Sequence, residues 1–229
     1  MHHHKRLDRL AQRIRIHGAL AEETLGDAVA ALVNRNAAGA AEAMAAFVPI
    51  GAFMGEVEEE CLAILSAHPP VATDVRFVLA VLRMSDDLTG IAEVGHAMAR
   101  QVRDAVAAGA GETPPAIRSL GTLTIDMLHD VVEAVAARDA RLARCVLHRH
   151  AAVRSHRRDV CRWTIRQVRT GHAGVDGSLH VGWIARDIEH IAAITASTAV
   201  DLITTLEGWP LHGNERVNPS GPLPSAVLR

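Results

Sequence analysis

Four arginines recur at every fourth position in one stretch of the sequence, and they are the first candidates for chemistry. This arginine row consists of Arg154, Arg158, Arg162 and Arg166. Because a helix repeats every 3.6 residues, such spacing puts the four guanidinium groups on one side of a helix, opposite the apolar positions. The planar guanidinium fork binds phosphate and carboxylate groups by two-point contacts. The row therefore predicts either a site for an anion or an acidic partner, or simply a solvated helix face.

The sequence around the arginine row is strongly basic, although the chain as a whole is not. Residues 138–169 contain ten arginines and two acids, whereas the full chain has 24 basic and 26 acidic residues, a net charge of -2. A chain with this balance does not bind nucleic acid through bulk charge. Trp163 is the one stacking surface in the segment, and no nucleic-acid recognition motif is present. We expect the partner to be an acidic protein surface or an anionic lipid layer. We do not expect nucleic acid.

Histidine and cysteine offer weaker candidates for metal binding. Glu93 and His96, and Asp187 and His190, are spaced like the ligand pairs of di-iron helical bundles, but further glutamates at matching positions are lacking. Surface histidines are the simpler interpretation. The three widely spaced cysteines predict free thiols in a reducing cytoplasm. No nucleophile paired with a base and no glycine-rich phosphate loop is visible, so we expect no enzymatic activity.

The residues that carry these side chains are predicted to lie in long helices. Apolar residues make up 49% of the chain, but Phe and Trp occur three times each and Tyr is absent, which favours an aliphatic, all-α core over a β-sandwich. Turn signals separate six helical stretches, near residues 5–33, 37–67, 71–108, 116–136, 140–169 and 178–207. Pro49 and Gly51 are expected to kink or interrupt the second stretch. Residues 208–229 are rich in Pro and Gly and predict a flexible tail.

Two parts of the sequence repeat one another. Residues 27–44 align with 130–147, and residues 83–98 align with 183–198, so Asn36 and Asp139 become equivalent helix caps. We therefore predict an all-α fold of two tandem three-helix bundle repeats, residues 5–108 and 116–207, with six long antiparallel helices. The segment 37–54 carries a single charged residue, Glu42, which predicts either a self-association surface or an exposed face of small residues.

Three passages, taken together, resemble the PhoU family of phosphate-uptake regulators. They are AVAALVNRN, which ends at Asn36, the segment from Val57 to Leu88, and MLHDVVEAVAARDARLA before Cys145. The second passage combines an acidic stretch, a proline break and an Asp-Val-Arg opening to the third helix. The resemblance covers most of residues 5–207, and it implies the same duplicated three-helix fold.

The resemblance also implies a metal site, of which this sequence keeps only part. In the family, two acids four residues apart on the third helix of each repeat help to bind a metal cluster. Here Glu93 remains while Thr89 replaces its partner, and Glu189 remains while Ala193 replaces its partner. The family's acids on the middle helices are replaced by Phe47, Gly51, His150 and Arg154. We therefore expect no cofactor, beyond weak binding of a divalent ion or iron at Glu93 and Glu189.

A member of this family would be a non-enzymatic, cytoplasmic, negative regulator of the phosphate-specific ABC transporter and its two-component system. The resemblance implies contacts with the transporter's ATPase subunit and with the phosphate sensor histidine kinase, and membrane association only through such partners. We also expect a homodimer. Two alternatives stay open: a helical-bundle metal-binding protein or metalloenzyme, and a diverged relative that uses the arginine row to dock a different acidic partner.

Overall fold

The computed structural model describes residues 2–46, 51–67 and 72–207, and these residues form seven helices without a strand. The helices are α1 (His2–Val33), α2 (Ala37–Ala46), α3 (Gly51–Ala67), α4 (Ala72–Ala107), α5 (Pro115–Ala137), α6 (Ala140–Arg169) and α7 (Val175–Glu207). The all-α prediction is confirmed, but the predicted second helix corresponds to two helices, α2 and α3. Pro49, which was expected to interrupt it, lies outside the described residues, as does the predicted tail 208–229.

The two predicted caps open equivalent helices. The Asn36 side chain accepts a hydrogen bond from the Gly39 N–H at 3.0 Å, and Asp139 accepts bonds from two N–H groups in the first turn of α6, at 2.8 and 3.2 Å. Each cap follows an arginine in the left-handed region, Arg35 at φ 52° and Arg138 at φ 56°. A left-handed residue ends the preceding helix, and the cap then satisfies the first N–H groups of the next one. The repeat is therefore visible in the backbone as well as in the sequence.

The core is aliphatic and runs through both repeats. Along α4, every member of two interleaved rows at heptad spacing is buried: Val81, Leu88, Gly95, Val102, Phe77, Met84, Ile91 and Met98. Burial of such side chains is the main favourable contribution to folding. A single apolar cluster joins residues of all seven helices, so the two repeats share one core.

The two repeats meet mainly along two pairs of helices, α1 against α5 and α4 against α7, with a smaller contact between α4 and α5. In the first repeat, α2 and α3 pack on α1 and α4; in the second, α6 packs on α5 and α7. The α1–α5 contact is reciprocal, because Gly18 on α1 faces Val132 on α5 and Gly121 on α5 faces Val29 on α1. A Cβ atom added at Gly18 or at Gly121 would lie 2.6 or 2.5 Å from a valine methyl carbon. The missing side chains let the two helices approach closely.

Two aspartates that the repeat makes equivalent, Asp87 and Asp187, hold α4 and α7 together. The Thr198 hydroxyl donates to Asp87 at 2.5 Å, and the Gln101 amide donates to Asp187 at 2.9 Å. Burial raises the pKa of Asp87 to about 6, although the hydrogen bond from Thr198 opposes that shift.

No helix in the described part of the chain is both long and apolar enough to span a membrane.

Candidate functional site

The arginine row lies on α6, the outer helix of the second repeat. One side of α6 packs into the core through Val146, Val153 and Val160, which are buried, while Leu142 and Val168 at the margins are half-buried. Because α6 rests on α5 and α7, its other side faces away from the bundle. The predicted opposition of a basic and an apolar side is therefore confirmed.

The four arginines do not form a straight line. Four residues advance the helix by slightly more than one turn, so each step rotates the position by about 40°. Arg154 accordingly lies on the side of α7, with its Nε atom 4.0 Å from Oε1 of Glu189. Arg158, Arg162 and Arg166 are exposed, and we call their side of the helix the outer face of α6. Arg162 pairs with Asp159 at 3.2 Å, whereas Arg158 and Arg166 make no ion pair with any residue that the structure describes.

Other arginines of α6 hold the helix in place, and the sequence did not single them out. Arg144 pairs with Glu207 on α7 at 2.7 Å, and Arg149 pairs with Asp130 on α5 at 2.5 Å. Their partners lie 63 and 19 residues away. No local pattern identifies such pairs. The basic content of α6 therefore divides into arginines that fasten the helix to its neighbours and arginines of the outer face.

Glu189, a predicted metal ligand, is engaged by arginine. Its carboxylate lies 2.5 Å from Nε of Arg157 and 4.0 Å from Nε of Arg154, and its side chain is 22% exposed. The Arg157 N–H is not aligned for a hydrogen bond, so the contact is an ion pair. Beside it, His150 is 5% exposed with no hydrogen-bond partner at Nε2 among the described residues. Burial and then the Arg154 charge lower the pKa of His150, while Glu189 opposes the shift.

The first repeat gives the other predicted metal residues different surroundings. Glu93 is exposed on α4, and the Thr89 hydroxyl donates to the carbonyl of Ser85 at 3.0 Å. Ala193, in the second repeat, is buried in the core of the bundle. Phe47 lies outside the described residues, and Gly51 is the first residue of α3. Within the described ranges, no group of three or more His, Cys, Asp and Glu side chains is positioned to hold a metal ion.

A buried histidine in the first repeat was not identified from the sequence. His17 on α1 is fully buried, its Nδ1 atom lies 3.2 Å from the Ser85 hydroxyl, and its ring stacks on Phe53 with centroids 6.1 Å apart. Burial lowers the pKa of His17 to about 4, so the ring is neutral at pH 7. The helical spacing could have identified His17, because it lies three residues after Ile14 and four before Ala21, on the same buried side of α1.

A cavity of about 280 Å³ lies beside the arginine row, between α6 and the first turn of α5. Its lining residues come from these two helices and are Pro115, Ala116, Asp159, Arg162, Trp163 and Arg166. The wall thus combines two guanidinium groups, one carboxylate and an indole ring. An arrangement of this kind can bind an anionic group next to a planar one.

Comparison with known proteins agrees with this architecture. The family model described as "PhoU domain" matches the chain twice, over residues 14–102 and 117–201, once in each repeat. The phosphate-specific transport system accessory protein PhoU of Edwardsiella tarda is 25% identical over 174 residues, 76% of this chain and 72% of that protein. The PhoU homolog of Pseudomonas aeruginosa is 25% identical over 194 residues, 83% of this chain and 79% of its own length.

Solved structures show the same fold. The crystal structure of PhoU from Pseudomonas aeruginosa superposes with a TM-score of 0.79, at 23% identity, over 90% of this chain and 99% of that one. Fold and family match together define a class of all-helical proteins made from two copies of one bundle unit. The chain belongs to the PhoU family.

Proposed function

We propose that this chain is a regulatory accessory protein of phosphate transport, which restrains phosphate uptake and phosphate-responsive signalling. The observation that carries the proposal is the match of the PhoU domain to both repeats, over residues 14–102 and 117–201. Relatives that align with three quarters or more of the chain bear the name of phosphate-specific transport system accessory protein. A regulator of this kind acts by binding, which suits a rigid bundle with one shared core.

The partners that fit this role are the ATPase subunit of the phosphate transporter and the phosphate sensor histidine kinase. We propose that the chain meets them in the cytoplasm, as a homodimer, and reaches the membrane only through them. The outer face of α6 is the surface that we assign to an acidic partner. Arg158, Arg162 and Arg166 are exposed there, and a guanidinium group binds carboxylates in two-point contacts. Salt should weaken such a contact, because exposed charges are screened.

The proposed role is regulatory and non-enzymatic. The names of the relatives support this, since each describes an accessory protein. Glu189 is a poor metal ligand here, because its carboxylate pairs with Arg154 and Arg157. A diverged relative that uses the same outer face for a different acidic partner is the second candidate. The exposed guanidinium groups of that face favour this second candidate, because they would bind an acidic partner whether or not that partner takes part in phosphate transport.

Capture of partners from cells at low and high phosphate tests the proposal. The tagged chain, expressed at its natural level, should recover the transporter ATPase subunit and the sensor kinase, quantified by mass spectrometry. Reversal of the three charges of the outer face, with Arg158, Arg162 and Arg166 changed to Glu, should reduce recovery about tenfold or more.

The matched control reverses three exposed arginines on other helices, at Arg76, Arg100 and Arg118. It makes the same change in net charge and should leave recovery unchanged. Circular dichroism establishes that both triple variants are folded. Recovery of neither partner at either phosphate level would refute the phosphate role, and recovery of a different acidic protein, lost only in the outer-face variant, would favour the second candidate.

A further inference from the structure

The cavity between α6 and α5 has a chemical character that partner docking does not explain. Arg162 and Arg166 lie one turn apart on α6, so their guanidinium groups can reach the same anionic group from one side. Arg162 is also paired with Asp159 at 3.2 Å, while Arg166 makes no ion pair with a described residue. The lining therefore has a net charge of one positive unit, with Arg166 as its principal cation.

The indole ring of Trp163 gives the same cavity a planar apolar wall. Trp163 is half-buried and lies between the exposed Arg162 and the buried Thr164. A half-buried indole beside guanidinium groups offers a stacking surface for a flat ring, and stacking of this type is tolerant of the ring's identity. Asp159, one turn before Trp163 on α6, offers carboxylate oxygens that accept hydrogen bonds from hydroxyl or amino groups.

The size of the cavity decides between a simple ion and a larger ligand. Its volume of about 280 Å³ lies close to the lower end of the range for small-molecule sites. A water molecule takes up about 30 Å³ in the liquid, so the space exceeds what an inorganic anion needs. The volume therefore leaves room for a planar ring beside the anionic group, which matches the indole ring and the two guanidinium groups of the wall.

We propose that this cavity binds a nucleoside phosphate. The phosphate group lies against Arg166 and Arg162, the base stacks on Trp163, and the Asp159 carboxylate accepts a hydrogen bond from a sugar hydroxyl or a base amino group. The first turn of α5, at Pro115 and Ala116, adds the positive end of a helix dipole to the field of the two arginines. The site shares Arg162 and Arg166 with the outer face of α6, but its test needs only the purified chain and no partner of the proposed phosphate role.

Calorimetric titration of the full-length purified chain tests the proposal. The probes are adenosine monophosphate, guanosine monophosphate, adenosine and inorganic phosphate, at pH 7.5 and low salt. We expect saturable one-to-one binding of the nucleotides, at least tenfold tighter than binding of either adenosine or inorganic phosphate.

Four variants assign the binding to this cavity. Arg162→Ala with Arg166→Ala should weaken nucleotide binding at least tenfold, and Trp163→Leu should weaken it about tenfold while leaving the affinity for inorganic phosphate unchanged. Arg162→Lys with Arg166→Lys keeps the charge but loses the planar fork, so its affinity should lie between the wild type and the alanine variant. Arg158→Ala, the matched control, removes an exposed arginine of α6 outside the cavity and should bind nucleotide normally.

Three results would overturn the proposal. They are the absence of saturable nucleotide binding up to millimolar concentration, nucleotide binding that survives the double alanine variant, and inorganic phosphate binding as tightly as the nucleotides with no effect of Trp163→Leu. Thermal unfolding of each variant, followed by circular dichroism, separates loss of binding from loss of fold. The two lysine substitutions retain the net charge and serve as the second variant if the alanine substitutions unfold the helix.

Discussion

Replacement of Asp87 by asparagine tests the electrostatics of the contact between the two repeats. The Asp87 carboxylate is half-buried between α4 and α7, where Thr198 donates a hydrogen bond to it at 2.5 Å. Burial is the main cause that raises its pKa, Asp201 and Asp86 add to the shift, and Thr198 and Arg83 oppose it. Asparagine carries no charge, but its side-chain oxygen still accepts a hydrogen bond from the Thr198 hydroxyl. The substitution therefore removes the cost of a buried charge and retains the hydrogen bond.

The magnitude follows from the shift of the Asp87 pKa from 3.8 to about 6. One pKa unit corresponds to about 1.4 kcal/mol, so ionised Asp87 costs the folded state at most about 3 kcal/mol. Partial contact with solvent reduces this cost, and we expect the Asp87→Asn variant to be more stable by about 1–3 kcal/mol at pH 7.5. A raised carboxyl pKa means that the folded state binds the proton more tightly than the unfolded state. The cost is therefore fully present above pH 6 and disappears as the pH falls towards 4.

Urea unfolding at several pH values, followed by circular dichroism, measures the effect. The stability difference between Asp87→Asn and wild type should be largest at pH 7.5 and should shrink steadily down to pH 4.5. Asp126→Asn is the matched control, because Asp126 is exposed on α5, does not contribute to the shift of the Asp87 pKa, and undergoes the identical change of charge. Equal stability of Asp87→Asn and wild type at pH 7.5, or a difference that does not depend on pH, would refute the reasoning.

Four further substitutions test the packing, the helix caps and the ion pairs by urea unfolding. Gly121→Ala should lower stability by about 1–3 kcal/mol, because the added methyl group meets Val29, while Gly90→Ala on α4, with nothing within 4 Å, should raise stability by up to about 1 kcal/mol. A stabilising Gly121→Ala would contradict the close approach of α1 and α5. Asp139→Ala should cost about 1 kcal/mol through loss of the cap of α6, and an unchanged stability would show that the cap is dispensable. Glu189→Gln should cost about 1–3 kcal/mol at low salt, because it leaves two partly buried arginines without their carboxylate; insensitivity of this loss to salt would count against an ionic origin.

Local sequence patterns predicted most of the fold. The heptad spacing along α4 identified its buried side, and Asn36 and Asp139 marked the start of α2 and α6, because periodicity and capping depend on residues within one or two turns. The same reasoning placed the duplicated unit in both halves of the chain. Pro49 and Gly51 predicted a kink or an interruption in the second helix, and the described residues of that stretch form two helices, α2 and α3.

The chemistry of the site was only partly predictable, because it depends on contacts across the bundle. The spacing of the arginine row was correct, but nothing in the sequence showed that Arg154 turns towards Glu189 while Arg158 remains on the outer face. Glu189 retained the residue type of a metal ligand, yet its neighbours are guanidinium groups from α6. The cavity at Trp163 arises from residues about 45 positions apart along the chain, which no local motif connects.

Phosphate uptake by living cells tests the central claim most directly. Uptake of radiolabelled phosphate at high external phosphate is measured in the parent strain, in a strain that lacks this chain, and in the deletion strain complemented with the wild type or with the outer-face variant. We predict that the deletion raises uptake, that the wild-type chain restores the restraint, and that the variant with Arg158, Arg162 and Arg166 changed to Glu does not. Identical uptake in the parent and the deletion strain would contradict the account.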